Sequence, residues 1–213
     1  AFPADSRAPA VQAHAAETLY RLGDAAGANA AALTLLQRQP AAPEAQRRTA
    51  LNVLAHTRFE AGAFDEAERY TREALALTPA ADASRRDLTE RLAASLYKQG
   101  EQARTAGDTR RAAELFGRVT TETPEASARV AAQFDAATQR LALKDWAGAS
   151  QLLEDFRQRF PREALQAQVP PKLALAYSEQ GRWADAAAEA ERIAQSETDP
   201  EHARAARWQA AQW

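Results

Sequence analysis

The chain has 213 residues, 46% of them hydrophobic, and its 27 Lys and Arg nearly balance 29 Asp and Glu for a formal net charge of -2. That length admits one sizeable domain or one quasi-linear array, and the near-neutral balance excludes a general attraction to nucleic acid or to an anionic membrane surface. The absence of cysteine excludes disulfides, thiolate metal sites and a cysteine nucleophile, and leaves the compartment open.

Alanine supplies about a quarter of the chain, and alanine is the strongest helix former. β-branched residues are scarce, so the composition predicts an almost all-α protein. Lys98, Lys144 and Lys172 are the only lysines. No run approaches the roughly 20 apolar residues needed to span a bilayer. "AFPADSRAPA" has neither the basic start nor the apolar middle of a signal peptide. The chain contains no methionine, which suggests a mature form or a piece of a longer protein.

In chain order, the first helical hairpin turns at Gly23-Asp24 and closes at Pro40, 17 residues after the glycine. The second is "EAGAFDEAERYTREALALTP", residues 60–79, with the same distance from Gly62 to Pro79. One such hairpin cannot bury its own apolar face and needs copies to stack on. The third opens with "ADASRRDLTERLAASLYKQGEQARTAG", which reads as one long helix from near Asp82 or Ser84, then turns at Gly107 and closes at Pro124. In the fourth, Lys144 stands in the glycine's place before Trp146, and Pro161 closes the unit. The fifth is "EQGRWADAAAEAERIA", with Gly181 at the turn and Pro200 two residues later than the pattern places it. "EHARAARWQAAQW" then begins a further first helix without its partner.

The turn positions are separated by 39, 45, 37 and 37 residues, as expected of a helix–turn–helix repeat of about 34 residues with short insertions. Each marker has a physical task. Glycine at the turn can adopt positive φ and end the first helix. The small residue five places on (Ala28, Ala67, Ala112, Ala149, Ala186) lets the paired helices approach. Proline cannot continue a helix and sets the corner. The aspartates of Gly23-Asp24 and Gly107-Asp108 place a carboxylate at the start of the second helix, where the dipole favours it.

These residues resemble the tetratricopeptide repeat family. Repeat five matches it best, through Leu173-Ala174, Tyr177, Gly181, Trp183 and Ala186; repeat two matches through Leu54-Ala55, Gly62, Phe64, Ala67, Ala74 and Pro79. Repeat three has Gly100, Gly107, Ala112, Phe116 and Pro124. Repeats one and four depart from the pattern, with Ala25 where the turn aromatic belongs and Lys144 where the glycine belongs. The resemblance implies a right-handed α-solenoid of repeats at about 9–42, 48–81, 83–126, 127–163 and 164–200, with a terminal helix at 201–213. The interval of 45 residues adds about three helical turns to the third repeat, whose helix is expected to project or bend the array.

No H-E-x-x-H, G-x-S-x-G or phosphate-cradling glycine loop occurs. His14, His56 and His202 lie far apart, and carboxylates beside arginines at helical spacing read as solvated ion pairs. No enzyme activity, cofactor or metal site is therefore expected. The family resemblance instead implies a concave groove lined by the first helix of each repeat. Its lining would comprise Glu17, Tyr20 and Arg21; Asn52, His56, Phe59 and Glu60; Tyr97, Glu101 and Arg104; Phe134, Thr138 and Leu141; and Leu175, Ser178 and Glu179. Of these, Tyr20, Asn52, His56, Phe59, Tyr97, Arg104, Phe134 and Leu141 are the candidate contacts for a protein or peptide, since aromatic anchors with a few polar groups suit peptide recognition.

The alternative for Phe59, Tyr97 and Phe134 is core packing. No groove lysine stands near Asn52, which argues against a chaperone-tail carboxylate site of the kind some members of the family carry. Trp146, Trp183 and Phe64 read as inter-helix core, and Trp208 and Trp213 as exposed on the unfinished last helix. "QLLEDFRQRFP" is similar to repeats in bacterial periplasmic and lipoprotein members of the family. That likeness implies a cell-envelope role in assembly, secretion or polysaccharide export, with a cytoplasmic setting as the alternative. A rigid spacer of a larger export protein that self-associates through its ends is the alternative function, and an enzyme or small-ligand-binding domain is the least favoured one. Neither nucleic-acid binding nor membrane insertion of this segment is expected.

Overall fold

The structure is a computed structural model and describes residues 7–213. Five turns of one kind organise it. At the first, the Gly23 N–H donates to the Tyr20 carbonyl and the Asp24 N–H to the Leu19 carbonyl. This crossed pair of bonds satisfies carbonyls that the helix end leaves open, and it requires a left-handed residue at its centre. The same pair recurs at Gly62, Gly107, Lys144 and Gly181. The four glycines have φ between 72° and 82°, and Lys144 follows them at 60°. A Cβ added at any of these glycines would meet nothing within 4 Å. Backbone conformation, and not space, is what selects glycine there.

The aspartate after the turn then starts the next helix. Asp24 accepts from the Gly27 N–H, Asp108 from Arg111 and Asp145 from Gly148. Each is an N-cap bond that pairs an otherwise open donor.

Between these signals run the helices α1 (Ala8–Arg21), α2 (Ala25–Leu36), α3 (Glu44–Glu60), α4 (Phe64–Ala76), α5 (Ser84–Thr105), α6 (Thr109–Glu122), α7 (Arg129–Ala142), α8 (Trp146–Arg159), α9 (Val169–Glu179), α10 (Trp183–Ser196) and α11 (Pro200–Gln212), with a short 3-10 turn at Ala164–Gln168 before α9. No strand occurs among the described residues. The chain is thus all-α and built of helix–turn–helix repeats in series, the solenoid class of architecture. The extra residues of the third repeat lie in α5, the longest helix at 22 residues. The five small residues expected at the helix crossings are all at most 1% exposed.

The chain forms two compact units, and the boundary between Gln99 and Gly100 falls within α5. The first unit is built on Ala16, Ala28, Ala32, Leu35, Leu51, Leu54, Ala74 and Leu88. Its alanines let helix axes approach while the leucines fill what remains. Arg85 donates to the carbonyls of Leu75 and Thr78, closing the end of α4. In the second unit Phe134, Leu153, Phe156, Val169, Leu173 and Tyr177 form the core. Gly100 belongs to this unit, where a Cβ would lie 2.6 Å from the ring of fully buried Phe116. Arg157 clamps buried Glu189 through both carboxylate oxygens, a bidentate pair that compensates the buried charge.

Two expectations about tryptophan need correction. Trp183 is half exposed and is not inter-helix core. It is the first residue of α10, where a side chain leans back past the helix start instead of across to a partner. Trp213 is not exposed but packs against the second unit's core, whereas Trp208 is 63% exposed as expected. Trp146 is half-buried, and Phe64 meets Phe59 edge-on at 5.0 Å.

Candidate peptide-binding surfaces

In the first unit, α1, α3 and α5 bring together residues far apart in sequence. The Tyr20 ring stacks on the His56 ring, with centroids 5.3 Å apart. The Tyr20 hydroxyl donates to Glu60 Oε1 at 2.8 Å. Beside them a cavity of about 240 Å³ is lined by Ala55, His56 and Phe59 from α3, Thr71 from α4, and Arg91, Ala94 and Ser95 from α5. Its volume is several times the roughly 30 Å³ share of a liquid water, and most of its wall is carbon. The Thr71 hydroxyl is turned away to the Ala67 carbonyl.

The electrostatics of this site are set by partial burial. Burial lowers the His56 pKa from its ordinary value, and the nearby Arg91 charge lowers it further against the opposing pull of Glu60. The ring is therefore neutral at pH 7. Burial also raises the Tyr20 pKa, helped by its bond to Glu60. Arg91 is half-buried, and burial lowers its pKa while Asp87 and Tyr20 raise it. An arginine so placed keeps its charge, yet no carboxylate among the described residues forms an ion pair with it.

The second unit has a more open groove of about 550 Å³, lined by Thr138, Leu141 and Ala142 of α7, by Ala167 and Gln168, and by Pro171, Lys172 and Leu175 of α9. Leu175 is 45% exposed. The Lys172 ammonium lies 5.3 Å from the Phe134 ring centroid, a favourable cation–π placement, and it too has no carboxylate partner among the described residues.

The sequence-derived contacts therefore fall into several places. His56 and Phe59 line the first cavity, and Tyr20 adjoins it through the ring stack. Leu141, Thr138 and Leu175 converge on the second groove. Asn52, one turn before His56, carries a buried Oδ1 with no hydrogen-bond partner. Tyr97 is half-buried on α5. Arg104 bridges Glu101 and Asp135 and lies over the Phe116 ring. Phe134 is only 6% exposed and packs on Phe156 at 5.5 Å. It is core, because its ring points into the α7–α8 pair.

Arg91 was missed, and so was Lys172. Arg91 stands three residues before Ala94 and four before Ser95 on α5, so the three-and-four spacing of a helix face would have led to it. Among the described residues no group of His, Asp and Glu has a metal-binding arrangement, and no helix is long and apolar enough to cross a membrane.

No protein-family model matches the chain, and no curated protein matches it at a significant level. Solved structures do. The MamA protein is 15% identical over 92% of this chain and 98% of its own, with a TM-score of 0.46. TTC0263, described as a thermophilic TPR protein of Thermus thermophilus, is 18% identical over 96% of this chain and all 100% of its own, with a TM-score of 0.39. BtubC (BKLC) from P. vanneervenii is 19% identical over 97% of this chain and 86% of its own, with a TM-score of 0.45.

Proposed function

We propose that the chain is a non-enzymatic scaffold that holds a protein or peptide against the first helices of its repeats. The observation that carries this reading is the convergence of His56, Phe59 and Arg91 on one open, carbon-walled cavity, with Tyr20 stacked on His56 beside it. An aromatic wall with few polar groups offers an anchor pocket for a side chain. The test is affinity capture from the source organism's extract, with the chain as bait and mass spectrometry as readout. A partner retained by the parent chain and lost by folded Phe59→Ala supports the scaffold. A partner profile unchanged by Phe59→Ala and Tyr97→Ala counts against it. Phe134→Ala has no place in this test, since emptying a buried phenylalanine site costs about 3–5 kcal/mol of stability.

The setting we propose is the bacterial cell envelope, in assembly, secretion or polysaccharide export. Its support is the likeness of the 151–161 segment to envelope repeat proteins. Fractionation of the source cells tests it, and recovery in the cytosol would overturn it.

A second reading, self-association, is favoured by one observation: α11 leaves Trp208 63% exposed, and a large apolar side chain in water favours pairing. Sedimentation of the chain and of Trp208→Ala decides it. Dimer lost in the variant supports the reading, and a monomer at every concentration removes it.

A further inference from the structure

We infer that the first unit's cavity selects a peptide segment in which an apolar side chain adjoins a side-chain carboxylate, so that the scaffold's partner is an acidic–apolar sequence. This inference rests on the peptide-binding reading above. Ala55, Phe59 and Ala94 form the carbon wall that takes the apolar group. Arg91 stands at the same wall with its charge retained, half desolvated and in no ion pair with a carboxylate among the described residues.

The other charged groups near it argue for a single carboxylate. Glu60 is held by the Tyr20 hydroxyl, Asp87 acts on Arg91 only through space, and His56 is held neutral. Half-desolvated arginine forms stronger charge-assisted bonds than one in open water. The second unit repeats the combination with different residues. Leu141, Leu175 and Pro171 supply an apolar wall, and Lys172 supplies a cation without an ion pair among the described residues. A chain with a net charge of -2 thus sets, in each unit, a cation with no ion pair among the described residues beside apolar surface.

The experiment titrates the isotopically labelled full chain with blocked seven-residue peptides and follows backbone amide shifts. The probes are Gly-Ser-Leu-Glu-Leu-Ser-Gly, the same peptide with Gln for Glu, and a peptide ending in a free leucine carboxylate. The Glu peptide is expected to shift the amides of His56, Phe59 and Ala94 and to bind about tenfold tighter than its Gln counterpart. Arg91→Gln should remove that preference, so that the Glu and Gln peptides bind it alike, while its circular dichroism spectrum matches that of the parent chain.

Equal affinity for the Glu and Gln peptides, with shifts still at His56 and Phe59, overturns the inference and leaves the scaffold standing. A preference that survives Arg91→Gln overturns it as well. Tighter binding of the free-carboxylate peptide than of the Glu peptide assigns the cavity to chain ends and overturns it too. Absence of shifts with every probe also overturns it, and the scaffold is then judged by the capture experiment alone.

Discussion

Lys144 holds φ at 60°, in a region where a Cβ crowds the following carbonyl by about 1–2 kcal/mol. The equivalent glycines show open space around an added Cβ, so the cost there is conformational and not steric contact with neighbours. Lys144→Gly is therefore expected to raise stability by about 0.5–1 kcal/mol, the strain relieved less the entropy that glycine adds to the unfolded chain. Urea unfolding checks it, and an unchanged or lower midpoint would show that the lysine side chain compensates. His56 gives a pH signature. Its folded pKa is lowered, mainly by burial, so its contribution to stability is complete above the unfolded value of about 6.5. That contribution is lost as pH falls from there through the lower folded value. Between pH 7.5 and 5, the parent chain should lose more stability than His56→Gln. Equal losses in the two chains would mean that the ring is free to ionise where it stands.

At the scale of elements, the helices differ in what anchors them. In α11 only Ala203 is buried, whereas α9 buries Val169, Leu173, Ala174, Ala176 and Tyr177. Amide hydrogen exchange should therefore be fastest in α11 and slow in the middle of α9, since local opening follows the apolar contact that each element would lose. Comparable protection in both would mean that Trp213 holds α11 more firmly than its buried area implies. The turns and helices were legible in the sequence because their signals are local: a left-handed residue, an N-cap carboxylate, a small residue at the crossing. Long α5 was legible for the same reason, as an uninterrupted helical pattern after Asp82. The burial of Phe134 and the exposure of Trp183 were not. Both depend on which way the side chain faces within its own helix pair, toward α8 for Phe134 and past the start of α10 for Trp183, which the spacing of the repeat markers does not encode. Arg91 escaped because it lies on α5 before the groove positions that the family resemblance marks there, Tyr97, Glu101 and Arg104.

At the scale of the molecule, the packed helix pairs are sequence neighbours or next neighbours. Stability in such a chain is close to a sum of hairpin and nearest-interface contributions, and no single contact closes the whole. Calorimetry should then give a heat of unfolding larger than the value derived from the width of the transition, the mark of partly independent melting. Equal values would reveal a single cooperative unit despite the boundary within α5.

The five turns have a further consequence during synthesis. The bonds that close each turn join residues no more than five apart, as from Asp24 to Leu19 or from Arg182 to Tyr177. A turn can thus form as soon as its own residues leave the ribosome, without waiting for any distant segment, and loops this short close in well under a microsecond. Each hairpin can fold its apolar side inward against the one made just before it. The growing polypeptide then presents one unsatisfied face at a time to the crowded cell, and its vulnerable surface stays about the same size however many repeats follow.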